Sequence, residues 1–402
     1  MKYNYLKLNQ LDVDGKTVLL RADLNAPIVE TEGTPIEMID QRLRATIPTI
    51  DYLLSKGCKI VLCSHLGRPG GIFDPKLSMK PIANRLSVLI NKPIKCLPGC
   101  IGPDVRNTVK AMNSGELVML ENLRFHSEEE NNDSEFAREL SRLADVFVLE
   151  AFGTAHRRHA SIVGVPKLLP SAPGILLESE LNMLGKVLES PNKPLAAILG
   201  GAKISDKIKI LDNLLNKLDL LIIGGGMASN FLKAKGFNIG KSLVEEDGEQ
   251  LAREIIARSA SLKVELFLPI DITVGNEFKP YPEIVKTVGI DEIEDDFMIL
   301  DIGPKTISLF SKQLSKSKTI LWNGPLGVCE FDRFSKGTKT VAENLSGLEA
   351  FTIIGGGSTA TAIEKLGISD QLGYISTGGG AMLKFLEGKV LPGVLALSEH
   401  SN

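Results

Sequence analysis

Short runs of apolar, often β-branched residues recur along the whole chain, and each run ends in a polar or glycine-rich turn. Near-continuous apolar runs of this length are typical of strands that are buried on both faces of a sheet. The predicted strands lie at residues 17–24, 59–66, 116–123, 146–152, 195–201, 220–226, 265–271, 319–325 and 352–357.

Segments with helical periodicity separate these runs, most clearly at residues 42–57, 134–145, 204–219 and 249–260. Strands that alternate with helices are typical of parallel sheets covered by helices on both faces. The pattern therefore predicts an α/β fold.

A break in this pattern falls near the middle of the chain. Residues 165–174 carry three prolines and a glycine, and residues 178–191 then have the pattern of a single helix that ends at a proline-rich stretch. We interpret the segment as an interdomain helix. The predicted organisation is a domain at 1–174, the interdomain helix at 175–190, a second domain at 191–385 and a tail at 386–402.

Composition narrows the class of protein. The 402 residues suggest two or three domains, and 43% hydrophobic with 24% charged residues is ordinary for a globular protein. A net charge of −3 argues against a protein that coats nucleic acid. Residues 1–10 lack the apolar core of a signal peptide, and no stretch approaches the roughly 18 apolar residues of a membrane span. We therefore expect a cytoplasmic protein without nucleic-acid or membrane partners.

The five cysteines support the same location. Their number is odd and they form no C-x-x-C pair, so free thiols in a reducing compartment are the simplest interpretation. A disulfide or a metal site at Cys96 and Cys100 stays an alternative, although no second pair of ligands accompanies them.

Charged and polar residues follow the predicted strands of the first half of the chain. Ligands bind at the carboxyl ends of strands in open parallel sheets, so these residues should share one rim. Four arginines and two histidines there would suit a small molecule with several negative charges, since arginine grips phosphate or carboxylate at two points. Each arginine alone could equally be a solvated surface charge. The residues are Asp23, Asn25, Arg42, His65, Arg68, Arg124, His156 and Arg157.

Glycine-rich turns follow the strands of the second half, at Gly200-Gly201, 224–226, Gly324 and 355–357. Glycine lets backbone N–H groups approach a phosphate at a helix N-terminus. Lys203 and Lys207 follow the first turn and are placed to neutralise phosphate charge. A single Gly-Gly turn is equally well a tight strand-to-helix corner, but a cluster with nearby lysines favours binding.

Common nucleotide motifs fit poorly. The pattern G-x-x-x-x-G-K-[ST] fails at Gly240 because Lys235 stands where its first glycine is required. The pattern G-x-G-x-x-A is met at Gly355, Gly357 and Ala360, but no acidic residue follows about 20 positions later, so a dinucleotide site is poorly supported.

Ten blocks of sequence, taken in order, resemble the phosphoglycerate kinase family from about residue 5 to residue 398. They are RADLNAP at 21–27, SHLGRP at 64–69, ENLRFH at 121–126, AFGTAHRRHAS at 151–161, LGGAKISDKI at 199–208, IGGGMA at 223–228, LPID at 268–271, WNGPLGVCEF at 322–331, STGGGAML at 376–383 and LEGKVLPGV at 386–394. The resemblance implies two doubly wound, Rossmann-like domains, with the C-terminal tail packed on the first.

The resemblance also implies a ligand set for each domain. Phosphoglycerate would be bound by Asp23, Asn25, Arg42, His65, Leu66, Gly67, Arg68, Arg124 and Arg157. ADP or ATP, carried with Mg²⁺, would be bound by Gly200, Lys203, Lys207, Asn323, Gly324, Glu330, Gly356, Gly357, Ser358 and Thr359. Phosphoryl transfer between 1,3-bisphosphoglycerate and ADP would give 3-phosphoglycerate and ATP in a monomeric glycolytic enzyme.

Three positions depart from the family pattern. Family members usually carry aspartate where this chain has Ser358, and that carboxylate helps to place the magnesium nucleotide. Glu150 stands where aspartate is typical, and Met382 stands where serine follows GGGA. Ser358 contributes no charge, so the chain offers the metal a neutral hydroxyl at this position instead of a carboxylate.

The acceptor in the reverse direction is a carboxylate with an ordinary pKa of about 3.5, so no general base is needed. We assign stabilisation of the moving phosphoryl group to Arg42 and Lys207, helped by backbone N–H groups at 356–359. Closure of the two domains, with hinges at 178–191 and 376–380, would exclude water. Two alternatives stay open: a nicotinamide-dependent dehydrogenase, and a non-catalytic protein that keeps a nucleotide site.

Overall fold

The computed structural model describes residues 3–26 and 36–398. The chain divides into two compact units, one formed by Met1–Asn182 with Val390–Asn402 and the other by Met183–Lys389. Each unit has its own sheet and its own apolar core.

The first unit is built on a parallel sheet with the strand order β3-β4-β2-β1-β5-β6. Near-continuous burial explains the apolar runs, since four of the five residues of the first strand are buried. The bounds are β1 Thr17–Arg21, β2 Lys59–Cys63, β3 Ile94–Cys96, β4 Leu117–Met119, β5 Val146–Leu149 and β6 Ser171–Pro173.

The second unit is built on another parallel sheet, with the order β15-β14-β13-β7-β8-β9, and carries a small antiparallel sheet with the order β11-β10-β12. The bounds are β7 Leu195–Leu199, β8 Leu220–Ile223, β9 Glu265–Phe267, β10 Asp271–Gly275, β11 Val285–Gly289, β12 Met298–Ile302, β13 Thr319–Asn323, β14 Phe351–Gly355 and β15 Tyr374–Ile375.

Helices connect the strands of each sheet. Their bounds are α1 Ile36–Ser55, α2 Lys80–Ile90, α3 Pro103–Lys110, α4 Ser127–Glu130, α5 Ser134–Ser141, α6 Ile175–Glu189, α7 Ser205–Leu214, α8 Ala228–Ala234, α9 Gly248–Ser261, α10 Pro304–Leu314, α11 Lys336–Ser346, α12 Gly357–Lys365, α13 Gly380–Leu386 and α14 Pro392–Ser398. Short 3₁₀ turns lie at Leu8–Gln10, Pro75–Leu77, Leu123–Phe125, Phe152–Thr154, Val165–Lys167, Leu215–Lys217, Asp332–Phe334 and Ser369–Gln371, and a π-helical turn lies at Ala160–Gly164.

The predicted α/β class with two parallel sheets is confirmed, and each of the nine predicted runs overlaps a strand. The antiparallel sheet was not predicted. Its strand β11 is only partly buried along its length and therefore lacks the continuous apolar run of a central strand. No helix in the described ranges is long and apolar enough to cross a membrane.

Helix α6 occupies the predicted interdomain segment and contains the division between the units at 182/183. Glu150 binds its N-terminus, because its carboxylate accepts hydrogen bonds from the backbone of Leu176 at 3.1 Å and Leu177 at 3.4 Å. Burial raises the pKa of Glu150 to about 8. As domain limits, 1–174, 191–385 and 386–402 stay a prediction.

The last helix belongs to the first unit. The Gly393 N–H donates to the Ala155 carbonyl oxygen at 2.9 Å, and a side chain at this glycine would meet Ile162 at 2.8 Å. The C-terminal segment therefore packs against the turn that carries Arg157.

Candidate functional site

Parallel strands of the first unit end at one edge of the sheet, and the chain leaves β1, β2, β4 and β5 there. Asp23 and Asn25 follow β1, His65 follows β2, and Arg124 lies in the 3₁₀ turn after β4. The parallel order thus brings together residues that lie up to a hundred positions apart in the sequence. We call this edge the basic rim.

Helix α1 adds Arg42 to the basic rim. Arg42 Nη1 lies 2.7 Å from Asp23 Oδ2, and about a third of the arginine side chain stays exposed. Asn25 does a different job, because its Oδ1 accepts a hydrogen bond from the Gly67 N–H at 2.9 Å. Gly67 has a φ of +63°, which favours glycine.

Arg124 is almost fully buried and is held at both ends of its guanidinium. Nη1 donates to the Gly67 carbonyl oxygen at 2.8 Å, and Nε lies 3.4 Å from Glu130 Oε1. Asn122 Oδ1 accepts from the backbone N–H groups of Leu66 at 3.2 Å and Arg124 at 3.1 Å. Asn122, which sequence reasoning did not select, therefore fixes both loops of the rim.

His65 is 3% exposed, and its Nδ1 lies 3.3 Å from Arg21 Nη2. Because a guanidinium can only donate, Nδ1 is the acceptor and the imidazole is neutral. Burial lowers the pKa of His65 well below its ordinary value, and the nearby charges of Arg21, Arg124 and Arg42 lower it further. The rim therefore stays positive without a charged histidine.

A second buried histidine reports the same positive potential. Burial lowers the pKa of His159 to about 3, and Arg124, Arg21 and Arg157 add to the shift. Arg157 itself is half-buried, whereas Arg68 is exposed in the loop after β2. Arg21, Arg42, Arg124 and Arg157 therefore act on the two histidines of one small region. A ligand with several negative charges would relieve the repulsion among these arginines.

Sequence reasoning missed Arg21 and His159. Arg21 lies at the end of β1, and its side chain is 0% exposed. The available signal was a basic residue at the end of an otherwise apolar run, which is rare in a buried strand. His159 lies within the AFGTAHRRHAS block but carried no separate signal.

In the second unit, Lys207 lies on α7 and is 8% exposed. Its Nζ donates to Asn323 Oδ1 at the end of β13, which is itself 1% exposed. Burial lowers the pKa of Lys207, and Asp206 opposes the shift. The Asn323 Nδ2 group is buried without a hydrogen-bond partner among the described residues. The Lys207–Asn323 pair therefore keeps one buried donor, Asn323 Nδ2, that could bind a ligand.

The glycine-rich turns after β7, β8 and β13 pack directly on one another. An added Cβ at Gly200 would lie 2.2 Å from the Pro325 carbonyl oxygen, and one at Gly324 would lie 2.2 Å from the Gly200 carbonyl oxygen. Gly225 is equally confined, with a φ of +62° and Pro325 O at 2.5 Å. Close packing therefore leaves no room for a side chain at these three positions, as in a tight strand-to-helix corner, and their role in binding stays a prediction.

The turn after β14 is different, because it faces open space. Gly356 precedes α12 with a φ of +97°, and an added Cβ at Gly357 would meet no atom within 4 Å. Ser358 is exposed, while Thr359 Oγ1 is buried without a partner among the described residues. The first turn of α12 therefore presents backbone N–H groups, which bind anions.

Two predicted nucleotide residues lie at the surface of the second unit. Lys203 is exposed between β7 and α7, and Glu330 is exposed after β13. Within residues 3–26 and 36–398, no three His, Cys, Asp or Glu side chains are grouped to hold a metal ion. All five cysteines are free thiols.

Comparisons with known proteins agree with one another. Residues 8–389 match the family described as phosphoglycerate kinase. A phosphoglycerate kinase of Pelotomaculum thermopropionicum is 49% identical over 390 residues, covering 97% of this chain and 98% of the relative. One of Moorella thermoacetica is 48% identical over 397 residues, covering 98% of this chain and 99% of the relative.

Solved structures give the same result. The structure of phosphoglycerate kinase from Coxiella burnetii has a TM-score of 0.86 and 38% sequence identity, and the match covers 99% of this chain and 100% of that one. The crystal structure of the enzyme from Pyrococcus horikoshii has a TM-score of 0.84 and 33% identity, with 99% and 100% covered.

Proposed function

The chain belongs to the phosphoglycerate kinase family, and we propose that its basic rim binds phosphoglycerate while its glycine-rich turns bind the nucleotide. The family reaction is reversible phosphoryl transfer between 1,3-bisphosphoglycerate and ADP, giving 3-phosphoglycerate and ATP in glycolysis. A dehydrogenase is not supported by any of the comparisons, and the family is one of transferases.

One observation supports the proposed phosphoglycerate site above all others. Three arginines meet at one edge of the sheet, where Arg21 lies beside His65, Arg42 contacts Asp23 and Arg124 contacts Gly67. Burial lowers the pKa of His65 and His159, and these arginines and Arg157 add to the shifts. Guanidinium groups match the geometry of carboxylate and phosphate oxygens. The other members of the proposed set are either direct ligands or residues that shape the loops around the arginines. They are Asp23, Asn25, His65, Leu66, Gly67 and Arg68.

The proposed nucleotide site combines backbone and side-chain groups. The N-terminal turn of α12 supplies backbone N–H groups for phosphate oxygens, and it is formed by Gly356, Gly357, Ser358 and Thr359. Lys207 and Asn323 lie buried beside Gly324 and supply a cation and an amide. Gly200 is required by packing, and the exposed Lys203 and Glu330 complete the set as predicted from the resemblance.

The proposed mechanism needs charge stabilisation and no general base, because the acceptor carboxylate is ionised at neutral pH. Arg42 from the first unit and Lys207 from the second would neutralise charge on the transferring phosphoryl group. Lys207 suits this role because burial strengthens its electrostatic effect. Since the two ligand sets belong to different units, transfer requires the bound substrates to be brought together with water excluded, and 178–191 and 376–380 are the proposed hinges.

Magnesium fits this proposal as a companion of the nucleotide. The described residues hold no cluster of carboxylates for it, and Ser358 offers only a neutral hydroxyl at the turn where the metal nucleotide would lie. Mg²⁺ keeps several waters and is commonly held through substrate phosphates, where it neutralises charge. We therefore propose that phosphate oxygens and water supply most of its ligands.

A cytoplasmic monomer completes the proposal. Five free thiols are typical of a reducing compartment. The monomeric state rests on the sequence, which indicates no obligate partner, and light scattering of the purified protein would test it.

A coupled assay of the purified protein tests the proposed function most directly. We expect ATP-dependent turnover of 3-phosphoglycerate that requires magnesium, and a rise in the 3-phosphoglycerate KM for Arg124→Ala. An inactive protein at every magnesium concentration would contradict the proposed chemistry, and an unchanged KM in Arg124→Ala would contradict the proposed substrate site.

A further inference from the structure

We propose that Glu129 and Ser161 are positioning residues for the phosphoglycerate site, because together they orient the guanidinium of Arg21 beside His65. The inference rests on the proposed function of the basic rim and adds residues that do not touch the substrate themselves. Glu129 lies in the short helix α4, and Ser161 lies in the π-helical turn Ala160–Gly164.

Glu129 grips Ser161 at two points. Its Oε2 accepts from the Ser161 N–H at 2.9 Å, and its Oε1 accepts from the Ser161 hydroxyl at 2.6 Å. Both residues are 0% exposed. The short hydroxyl–carboxylate distance is typical of a hydrogen bond to a charged oxygen, so the serine proton points at Glu129.

This direction of the serine proton determines what Ser161 can offer Arg21. A hydroxyl has one proton and two lone pairs, so a serine that donates to Glu129 presents a lone pair to its other neighbour. Arg21 Nε lies 2.9 Å from Ser161 Oγ and donates into that lone pair. The carboxylate therefore makes the hydroxyl an acceptor at the position where the arginine needs one.

The rest of the guanidinium is fixed by two further contacts. Arg21 Nη1 donates to the Ala22 carbonyl oxygen, and Nη2 lies 3.3 Å from His65 Nδ1. These contacts and the one to Ser161 use three of the five N–H groups of a guanidinium. Because these contacts set the plane of the group, the charge of Arg21 is held in a fixed position beside His65.

The charge of Glu129 also has a specific counterpart. A fully buried carboxylate is costly unless it is paired or well hydrogen-bonded. His159 Nδ1 lies 3.8 Å from Glu129 Oε1, but burial and three arginines lower the pKa of His159 to about 3, so this imidazole is neutral. The cations that compensate Glu129 are then Arg21, linked through Ser161, and Arg124, whose pKa the Glu129 charge acts to raise.

Glu129→Gln tests the inference by removing the charge while keeping the side-chain size. We expect the KM for 3-phosphoglycerate to rise about 10-fold to 100-fold, the equivalent of a hydrogen bond to a charged group, with the KM for ATP unchanged. Glu128→Gln is the matched control, since this neighbour on the same turn of α4 is exposed, and we expect its KM values to stay at the parent level. An unchanged 3-phosphoglycerate KM in Glu129→Gln would overturn the inference.

A double-mutant cycle with Arg21→Met separates positioning from general damage. If Glu129 acts through Arg21, Glu129→Gln should have no further effect on the 3-phosphoglycerate KM once Arg21 is replaced. Effects that add in the double variant would overturn the inference. Ser161→Ala removes the same link while keeping the backbone contact to Glu129, so it decides the question if Glu129→Gln does not fold.

These outcomes are distinct from a failure of the proposed function. If Arg124→Ala raises the 3-phosphoglycerate KM but neither Glu129→Gln nor Ser161→Ala does, the basic rim binds the substrate and only the positioning role is wrong. If Arg124→Ala leaves that KM unchanged as well, the proposed substrate site is wrong.

Discussion

The two units handle anions in different ways. The basic rim of the first unit consists of long side chains held in place by other side chains, as in the 2.7 Å contact between Arg42 and Asp23. The turns of the second unit consist mainly of backbone, with Gly200 and Gly324 packed so closely that neither has room for a Cβ. The guanidinium of arginine selects a ligand by the geometry of its oxygens, whereas backbone N–H groups donate to the oxygens of any phosphate within reach.

The difference fits what each unit is proposed to bind. Phosphoglycerate is small and must be recognised through its charged groups, so several guanidinium groups are needed. A nucleotide can also be recognised through its base and ribose, so backbone turns and one buried cation are sufficient to bind its phosphates. The comparison predicts that single side-chain changes matter most at the rim, except at Lys207, and that backbone changes matter most at the turns.

The largest expected effect is at that exception. Lys207→Ala should lower kcat by about 10² or more, the scale for losing a positioned charge donor, because it removes the buried ammonium proposed to neutralise the transferring phosphoryl group. Steady-state kinetics with unchanged thermal unfolding would show this. Lys209→Ala is the control, since Lys209 lies on the same helix but is exposed. Near-normal turnover in Lys207→Ala would refute its assignment.

Gly324→Ala tests whether the glycine-rich turns of the second unit are as tightly packed as the comparison requires. The alanine would have to keep a φ near +100° with its Cβ 2.2 Å from the Gly200 carbonyl oxygen, so we expect a loss of about 3 kcal/mol in the free energy of unfolding. Denaturant unfolding measures it. Gly367→Ala provides the comparison, because Gly367 has a φ of +67° but no atom within 4 Å of an added Cβ, and about 1 kcal/mol is expected there. Equal losses would show that the turns are not tightly packed.

At the rim, Arg42→Ala and Arg124→Ala should have different kinetic effects. Arg42 is proposed to meet the transferring group, so its loss should lower kcat by about 10-fold or more, whereas loss of Arg124 should raise the 3-phosphoglycerate KM by a similar factor. The ATP KM should change little in either variant. Arg44→Ala, an exposed neighbour on α1, is the control. The same change in both substrate KM values for both arginines would indicate general destabilisation instead.

The smallest expected effect concerns Ser358, where the substitution would add a charged side chain to a site made mainly of backbone N–H groups. Ser358→Asp should strengthen magnesium binding by about 1–3 kcal/mol, because a carboxylate there can bind the metal through water. The magnesium concentration for half-maximal activity should fall, with little change in the 3-phosphoglycerate KM. Ser358→Asn, which adds similar bulk without charge, separates charge from size. No shift with aspartate would mean that this turn does not govern the metal.

Much of the fold could be predicted because buried parallel strands leave a clear pattern. The run at 17–24 contains β1, and the run at 319–325 contains β13. Strand β11 has no fully buried residue and no continuous apolar run, and the two-residue strand β15 is too short to show one. The residues of the candidate site were selected by their place after strands and by resemblance, and their roles stay predictions.

The sequence by itself determined that two parallel sheets form, that arginines follow the strands of one and that glycines follow the strands of the other. Only the tertiary structure decided which groups are neutral, which are held and which face open space. His65 and His159 are neutral because the fold buries them and, in addition, brings arginines of distant segments beside them. Glu129 reaches Ser161, 32 positions away, for the same reason. Such contacts depend on how strands are ordered in space, and local patterns of polarity carry no record of that order.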